Sequence, residues 1–224
     1  MTLDLQESAR LLGVSPETLR RWARQGHLGI WAPGGELRFE RAELEAWARR
    51  QGIPLHGPTG GRSEGTDDGS RPFRTALERG GFVEDLAGPT PKEVLTALVA
   101  AAPLAPGADP DRLLRLLFER ERLGSTGLGH GVALPHPRTP DPSFAERPTV
   151  VLGRLRDPVD WSAIDGEPVR TVFLLLNPNP SCHLKILARV ALLLRDPDFR
   201  RLLAGPASAE EILAAVERLE PPEE

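Results

Sequence analysis

Apolar residues recur along this chain at helical spacing in some stretches and in unbroken runs in others, and the two patterns separate helices from strands. Leu5, Ala9 and Leu12 stand at i, i+4 and i+7 and predict a short helix, closed by Gly13, which reaches positive φ without steric cost. Ser15 and Pro16 supply a capping hydroxyl and a first-turn proline for a second helix over 16–25, with Leu19, Trp22 and Ala23 as its inward stripe. Arg20, Arg21 and Arg24 fall off that stripe, together with Glu17 and Thr18. Residues 30–39 read as two short strands about a Gly34-Gly35 turn, and 41–51 as a third helix burying Leu44, Trp47 and Ala48.

Periodicity stops over 56–71, HGPTGGRSEGTDDGSR, where five glycines sit among polar and charged companions. Such a stretch predicts a flexible linker between a small domain at 1–55 and a larger one at 72–224. In the larger unit, 91–101 and 109–122 read as helices, with apolar residues at 95, 98 and 99 and then at 113, 114, 117 and 118. Residues 148–155 and 169–176 read as buried strands, 132–134 as a short apolar strand, and 183–194 and 209–219 as helices. Strands and helices mixed in this order predict an α/β fold, a mixed sheet with flanking helices. Residues 221–224 read as a solvated tail.

Composition narrows the classes without naming a function. At roughly 150 residues per domain, 224 residues fit two unequal domains, and 40% hydrophobic content supplies a core. A single cysteine, Cys182, excludes an internal disulfide framework and a multi-cysteine zinc site. No apolar run nears the roughly 20 residues of a membrane span, and MTLDLQESAR lacks the features of a signal peptide, so a cytoplasmic protein without membrane insertion is expected. The net charge of −4 divides into +1 over residues 1–52 and −5 over the rest. A mildly positive unit on an acidic body binds DNA only if its arginines share a face.

Helix, tight Gly-containing turn, second helix with outward arginines, wing and third helix follow one another in ESARLLGVSPETLRRWARQGHL and GGELRFERAELEAW. The string resembles the winged helix-turn-helix domains of the MerR and excisionase type over residues 3–52. The resemblance implies double-stranded DNA as a partner. Ser15, Thr18, Arg20, Arg21 and Arg24 would face the major groove or its phosphates, and Arg38 on the wing the adjacent backbone. One such module neutralises few phosphates, so specific binding would call for a homodimer spanning two half-sites. The alternative is a three-helix packing module whose arginines form a solvated face.

The most informative segment is RERLGSTGLGHGVALPH, residues 120–136. Four glycines in eight residues let backbone approach a ligand and offer N–H groups to an anion, and Ser125 and Thr126 add hydroxyls. His136 ends the short apolar strand, where a neutral imidazole serves as a nucleophile near pH 7; a structural histidine is the plainer alternative. The string resembles the phosphoryl-acceptor segment of enzyme IIA of the phosphoenolpyruvate-dependent phosphotransferase system, the fructose, mannitol and nitrogen-regulatory class, and the likeness extends over about 72–220. It implies that His136 accepts and donates the phosphoryl group, with His183 beside it as hydrogen-bond donor or tautomer-fixing neighbour and Arg120 as fixed positive charge. Ser125, Thr126, Gly127 and Arg138 would contact phosphate. No cofactor beyond the phosphoryl group on His136, and no metal, is implied. Two departures stand out. Pro137 occupies a position where the family usually has glycine, removing an N–H. His130 replaces a polar residue and would contact the phosphoryl group or join His136 and His183 at a metal.

Cys182 abuts His183 instead of sitting in its own phosphate-cradling loop, which makes it a poor IIB cysteine. The expected function is a phosphotransferase-system regulator. His136 would take phosphate from an HPr-like phosphocarrier, and its state would tune DNA or partner binding through the helix-turn-helix. A soluble carrier passing phosphate to a separate IIB component in sugar transport, and a IIA-like binding module that is never phosphorylated, are the competing expectations.

Overall fold

The computed structural model describes residues 2–24, 28–31, 37–51 and 71–220. The expected Gly34-Gly35 turn, Gln25, residues 56–70 of the expected linker and the tail at 221–224 lie outside them. Two compact units are present, Met1–Glu64 and Gly65–Glu224.

In the first unit α1 (Leu5–Leu12) opens with a reciprocal cap. Asp4 accepts from the Glu7 N–H at 2.7 Å, and Glu7 accepts from the Asp4 N–H at 2.9 Å. Gly13 closes α1 at φ 63°, a left-handed position that spares glycine any Cβ clash. α2 (Pro16–Arg24) begins where the Ser15 hydroxyl accepts the Thr18 N–H at 3.1 Å. The two wing strands, β2 (Ile30–Trp31) and β3 (Leu37–Glu40), pair antiparallel, and a strand with no signal in the sequence, β1 (Thr2–Leu3), pairs with the other edge of β3. α3 (Arg41–Gln51) follows. Leu3, Ala9, Leu12, Leu19, Ala23, Leu37, Phe39, Leu44 and Ala48 form the core, and the Trp22 and Trp47 rings pack 5.2 Å apart at its edge.

The second unit is a five-stranded mixed sheet in the order β4-β7-β8-β6-β5. Its strands are β4 (Phe82–Leu86), β5 (Gly127–Gly129), β6 (Val132–Ala133), β7 (Thr149–Val159) and β8 (Val169–Leu176). Successive residues of the central strands point to opposite faces. Val150, Leu152, Phe173 and Leu175 pack under α4 (Pro72–Gly80), α7 (Pro180–Leu193), α8 (Pro197–Ala204) and α9 (Ala209–Leu219). Val151, Val172 and Leu174 pack under α5 (Pro91–Ala101) and α6 (Pro110–Arg122). Both faces are covered, which is why these strands read as unbroken apolar runs without alternation.

Several boundaries differ from the sequence expectation. α7 begins at Pro180, not at 183, because the Asn179 side chain caps it by accepting the Cys182 N–H at 2.9 Å. β7 continues past Leu155 to Val159 through a register irregularity that admits Asp157 and Pro158. α4, β4, β5 and α8 are additional elements; β5 is Gly-Leu-Gly and has no apolar signature to read.

The sheet positions the site through one parallel pair. β6 and β8 run side by side, Val132 opposite Thr171 and Ala133 opposite Val172, and the Leu175 N–H donates to the Pro135 carbonyl at 3.0 Å. Residue 136 and residue 177 therefore leave the sheet at the same edge, outside the carboxyl ends of adjacent parallel strands, where open α/β sheets place ligands.

Glu220, 1% exposed, closes the opposite end of the sequence onto α4. Its two oxygens accept the N–H groups of Phe73 and Arg74 at 2.8 and 2.9 Å. Replacing Glu220 by alanine leaves two first-turn donors without their partner. It is expected to lower unfolding free energy by about 2 kcal/mol, read as a lower urea midpoint at unchanged slope.

Candidate functional site

Arg120 sits in the last turn of α6, two residues before the helix ends, and reaches across to the residue that follows β6. Its Nε–H donates to His136 Nε2 at 3.3 Å and its Nη1 to the Gly124 carbonyl at 2.8 Å. The other ring nitrogen, Nδ1, lies 2.7 Å from the Leu134 carbonyl oxygen. A carbonyl only accepts, so Nδ1 carries the hydrogen and Nε2 the lone pair. The ring is held at both nitrogens, in a single tautomer, with the Nε2 lone pair against a guanidinium.

His183, in the first turns of α7, places its ring 5.0 Å from that of His136, tilted by 48°. Its Nδ1 lies 3.2 Å from the side-chain amide nitrogen of Asn177, the first residue after β8. Burial depresses the His183 pKa to about 4, helped by His136 and Arg120. His136 is also lowered, chiefly by burial; the Leu134 bond opposes that shift, and the Arg120 charge reinforces it. Both rings are thus neutral at physiological pH, beside a permanent cation. The set provides an uncharged nitrogen nucleophile with a fixed positive donor next to it, which is what capture of a phosphoryl group requires.

The loop that leads to this site is braced by residues expected to contact phosphate. Glu121 accepts the Thr126 N–H at 2.8 Å and the Thr126 hydroxyl at 2.7 Å, pinning the loop to the end of α6. The Trp161 indole N–H donates to the same hydroxyl oxygen at 3.2 Å, and Thr126 is only 3% exposed. The Ser125 hydroxyl donates to the Trp161 carbonyl and accepts the Gly127 N–H at 2.9 Å. Ser125, Thr126 and Gly127 are the residues expected to present donors to an anion. Their hydrogens are given to protein acceptors, because a loop rich in glycine needs fixed bonds to hold one shape. Gly127 and Gly129 have a steric task instead. A Cβ on Gly127 would lie 2.9 Å from Ala163, and one on Gly129 would lie 2.7 Å from the Asp165 carboxylate. Arg138 is exposed, two residues beyond His136.

Arg120 does not pair with Glu119 or Glu121, as a surface arginine would; it is given to His136 and Gly124. His130 belongs elsewhere. It occupies a positive-φ turn at φ 54°, with its N–H on Asp165 at 2.7 Å. Among the described residues it stands within metal-ligand range of Asp165 and Glu167, not of His136 and His183. The alternative in which His130 joins His136 and His183 at a metal is not formed among the described residues. Asn177 is a site residue that carries no motif or periodicity to mark it in the sequence, and Glu121, inside the 120–136 string, has no expected role there.

In the first unit Arg20, Arg21 and Arg24 are exposed along α2, and Arg38 is exposed on β3. Thr18 and Ser15 share a hydroxyl–hydroxyl hydrogen bond of 2.9 Å at the start of the same helix. No helix among the described residues is long and apolar enough to cross a membrane.

Comparison with known proteins bears on both units. The phosphoenolpyruvate-dependent sugar phosphotransferase system EIIA 2 family matches residues 82–218, and a helix-turn-helix domain family matches residues 2–52. The chain is 39% identical over 127 residues to the nitrogen regulatory protein of Bradyrhizobium diazoefficiens, covering 56% of this chain and 81% of that one. It is 34% identical over 143 residues to the nitrogen regulatory protein of Pseudomonas aeruginosa, covering 62% and 91%. Among solved structures, the nitrogen regulatory protein IIA-Ntr of Neisseria meningitidis matches with a TM-score of 0.53 at 32% identity, over 60% of this chain and 91% of that chain. With the match over 82–218 spanning more than half of its length, the chain belongs to the EIIA 2 family of the phosphoenolpyruvate-dependent sugar phosphotransferase system, and it carries a helix-turn-helix domain ahead of that region.

Proposed function

We propose that this chain is a phosphorylation-responsive regulator. His136 accepts a phosphoryl group from the phosphohistidine of an HPr-like carrier, and the helix-turn-helix domain reads duplex DNA with an affinity that depends on that state. The observation that carries the reading is the held tautomer of His136, with Nδ1–H on Leu134 and the Nε2 lone pair facing Arg120.

In the transfer, the Nε2 lone pair attacks phosphorus, the donor's N–P bond breaks, and the donor imidazole leaves with the bonding pair. Positive charge develops on the His136 ring, whose Nδ1–H stays on the Leu134 carbonyl. The Arg120 N–H that occupies Nε2 at rest moves to a phosphoryl oxygen, so its charge meets the dianion. Arg138, exposed nearby in sequence, adds positive charge for the same group. Exposed leucines accompany these residues, Leu123 at 68% and Leu184 at 66%, and give a carrier protein apolar surface to cover.

The regulatory half of the reading rests on the helix-turn-helix match in the same chain and on the name its relatives carry, nitrogen regulatory protein. A phosphoryl group brings about −1.5 to −2 charges, by the usual figure for phosphorylated side chains, to a protein of net charge −4. Arg20, Arg21, Arg24 and Arg38 supply the charge for duplex phosphates, with Ser15 and Thr18 at the start of the same helix.

Incubation with labelled phosphoenolpyruvate, enzyme I and HPr is expected to give an acid-labile label on the wild type and none on His136→Ala. Arg120→Gln is expected to slow labelling about a hundredfold, as loss of one preorganised donor does. An unlabelled wild type would favour the binding-module reading, and onward transfer to an isolated IIB protein would favour the carrier. For the other half, fluorescence anisotropy on duplex DNA is expected to show strong salt dependence. Replacing Arg20, Arg21 and Arg24 by alanine should reduce the slope of log K against log salt by about one for each phosphate no longer neutralised. Wild-type binding no tighter than that of a charge-matched control would overturn it.

A further inference from the structure

We propose that Asn177 is a positioning residue that sets the protonation pattern of His183. Its amide N–H donates to His183 Nδ1, so the ring keeps its one hydrogen on Nε2 and offers it to the phosphoryl group on His136. The second clause rests on the phosphoryl reading above; the first does not.

Asn177 is 3% exposed, at a point where the six preceding residues, Thr171 to Leu176, are also buried. Its backbone is fixed, since the carbonyl accepts the Asp141 N–H at 3.1 Å. Among the described residues the side chain has one hydrogen-bond partner, His183 at 3.2 Å, and its Oδ1 is buried with none. A buried acceptor left unpaired costs about 1–3 kcal/mol. A polar side chain held at that cost, against a single ring, has no other evident task in the fold.

The chemistry then chooses the direction of the bond. With the amide nitrogen on Nδ1, His183 must carry its hydrogen on Nε2 and become a donor. With the oxygen there, Nδ1 must be protonated and Nε2 would turn a lone pair toward phosphoryl oxygens, which repel it. The imidazolium form would escape this choice, but burial, His136 and Arg120 together hold the His183 pKa at about 4. At neutral pH the ring has one hydrogen, and its location decides whether His183 attracts the anion or repels it. His136 and Arg120 are the titratable groups that add to burial in that shift. The donor pair around His136 is thus one permanent cation and one neutral N–H, whose modest hold leaves the phosphoryl group transferable.

The test is a two-bond proton–nitrogen NMR spectrum of the unphosphorylated full chain, labelled at histidine nitrogens, at neutral pH. The wild type is expected to show a pyridine-like nitrogen shift at His183 Nδ1 and a pyrrole-like shift at Nε2. His136 should show the reverse pattern and so report that the site is folded. Asn177→Asp places an acceptor-only group on Nδ1. It is expected to move the hydrogen there or protonate the ring, raising the His183 pKa well above about 4. Asn177→Leu is expected to leave His183 without a preferred tautomer and its shifts averaged. With His136 unchanged in the spectrum, Asn177→Leu should label about tenfold more slowly, short of the hundredfold or more that deleting a donor costs. A wild-type His183 with the hydrogen on Nδ1, or a pattern unmoved by Asn177→Asp, overturns the proposal even if His136 labels normally. A wild type that shows the expected tautomers yet never labels overturns the phosphoryl reading and, with it, the second clause alone.

Discussion

Parallel pairing of β6 with β8 is the constraint from which the site follows. Two parallel strands cannot be joined by a tight turn, so the chain leaves β6, builds β7 and returns before β8 begins. The register, Val132 opposite Thr171, then brings the ends of two distant segments to one edge. His136 comes from the first and Asn177, with His183 just beyond, from the second. Arg120 arrives from the same side because α6 precedes β5 and β6 by only the braced loop of 123–126. A slip of this register by one residue would turn Val132 and Ala133 to the wrong faces, so the two cores that hold the strands also hold the site.

Electrostatics at that edge depends on keeping imidazoles neutral beside a guanidinium. Burial does most of this, and the cation reinforces it. The sign matters for stability. The His183 pKa is depressed in the folded chain, so the unfolded chain binds the proton first as pH falls from the ordinary 6.5 toward about 4. Stability fully present above 6.5 is therefore lost across that window. A site tuned this way keeps Nε2 of His136 unprotonated through the physiological range, where a solvent-exposed imidazole would be partly charged.

Much of this is legible in the sequence, and the boundary of legibility has physical reasons. α1, α2 and α3 announce themselves through periodicity, and β7 and β8 through apolar runs, because burial imposes those patterns directly. The triad of Arg120, His136 and His183 comes from the phosphotransferase-like string, not from spacing, since no periodicity joins residues 63 positions apart. The hydrogen bonds of Ser125 and Thr126 are not legible for a definite reason. A hydroxyl next to a glycine run looks available in sequence, and only the geometry reveals that Trp161 and Glu121 consume it. β1 and β5 are too short and too poor in apolar residues to signal. Asn177 is invisible for the opposite reason, as a polar residue at the end of an apolar strand reads as the start of a loop.

Pro137 brings these points together. Proline at this position has no N–H to give, so a ligand at His136 has one backbone donor fewer to meet it. It also confines the backbone of His136 to extended conformations, and its own ring is buried. The imidazole is mounted more stiffly, and the ring hydrogen bonds at Leu134 and Arg120 take effect on a residue that has little freedom left. Such a site depends more on the placement of its side-chain donors. Under the reading proposed for His183, the unpaired oxygen of the buried Asn177 amide is the cost of keeping an amide N–H on the ring, since the opposite orientation would turn a lone pair of His183 toward an anion.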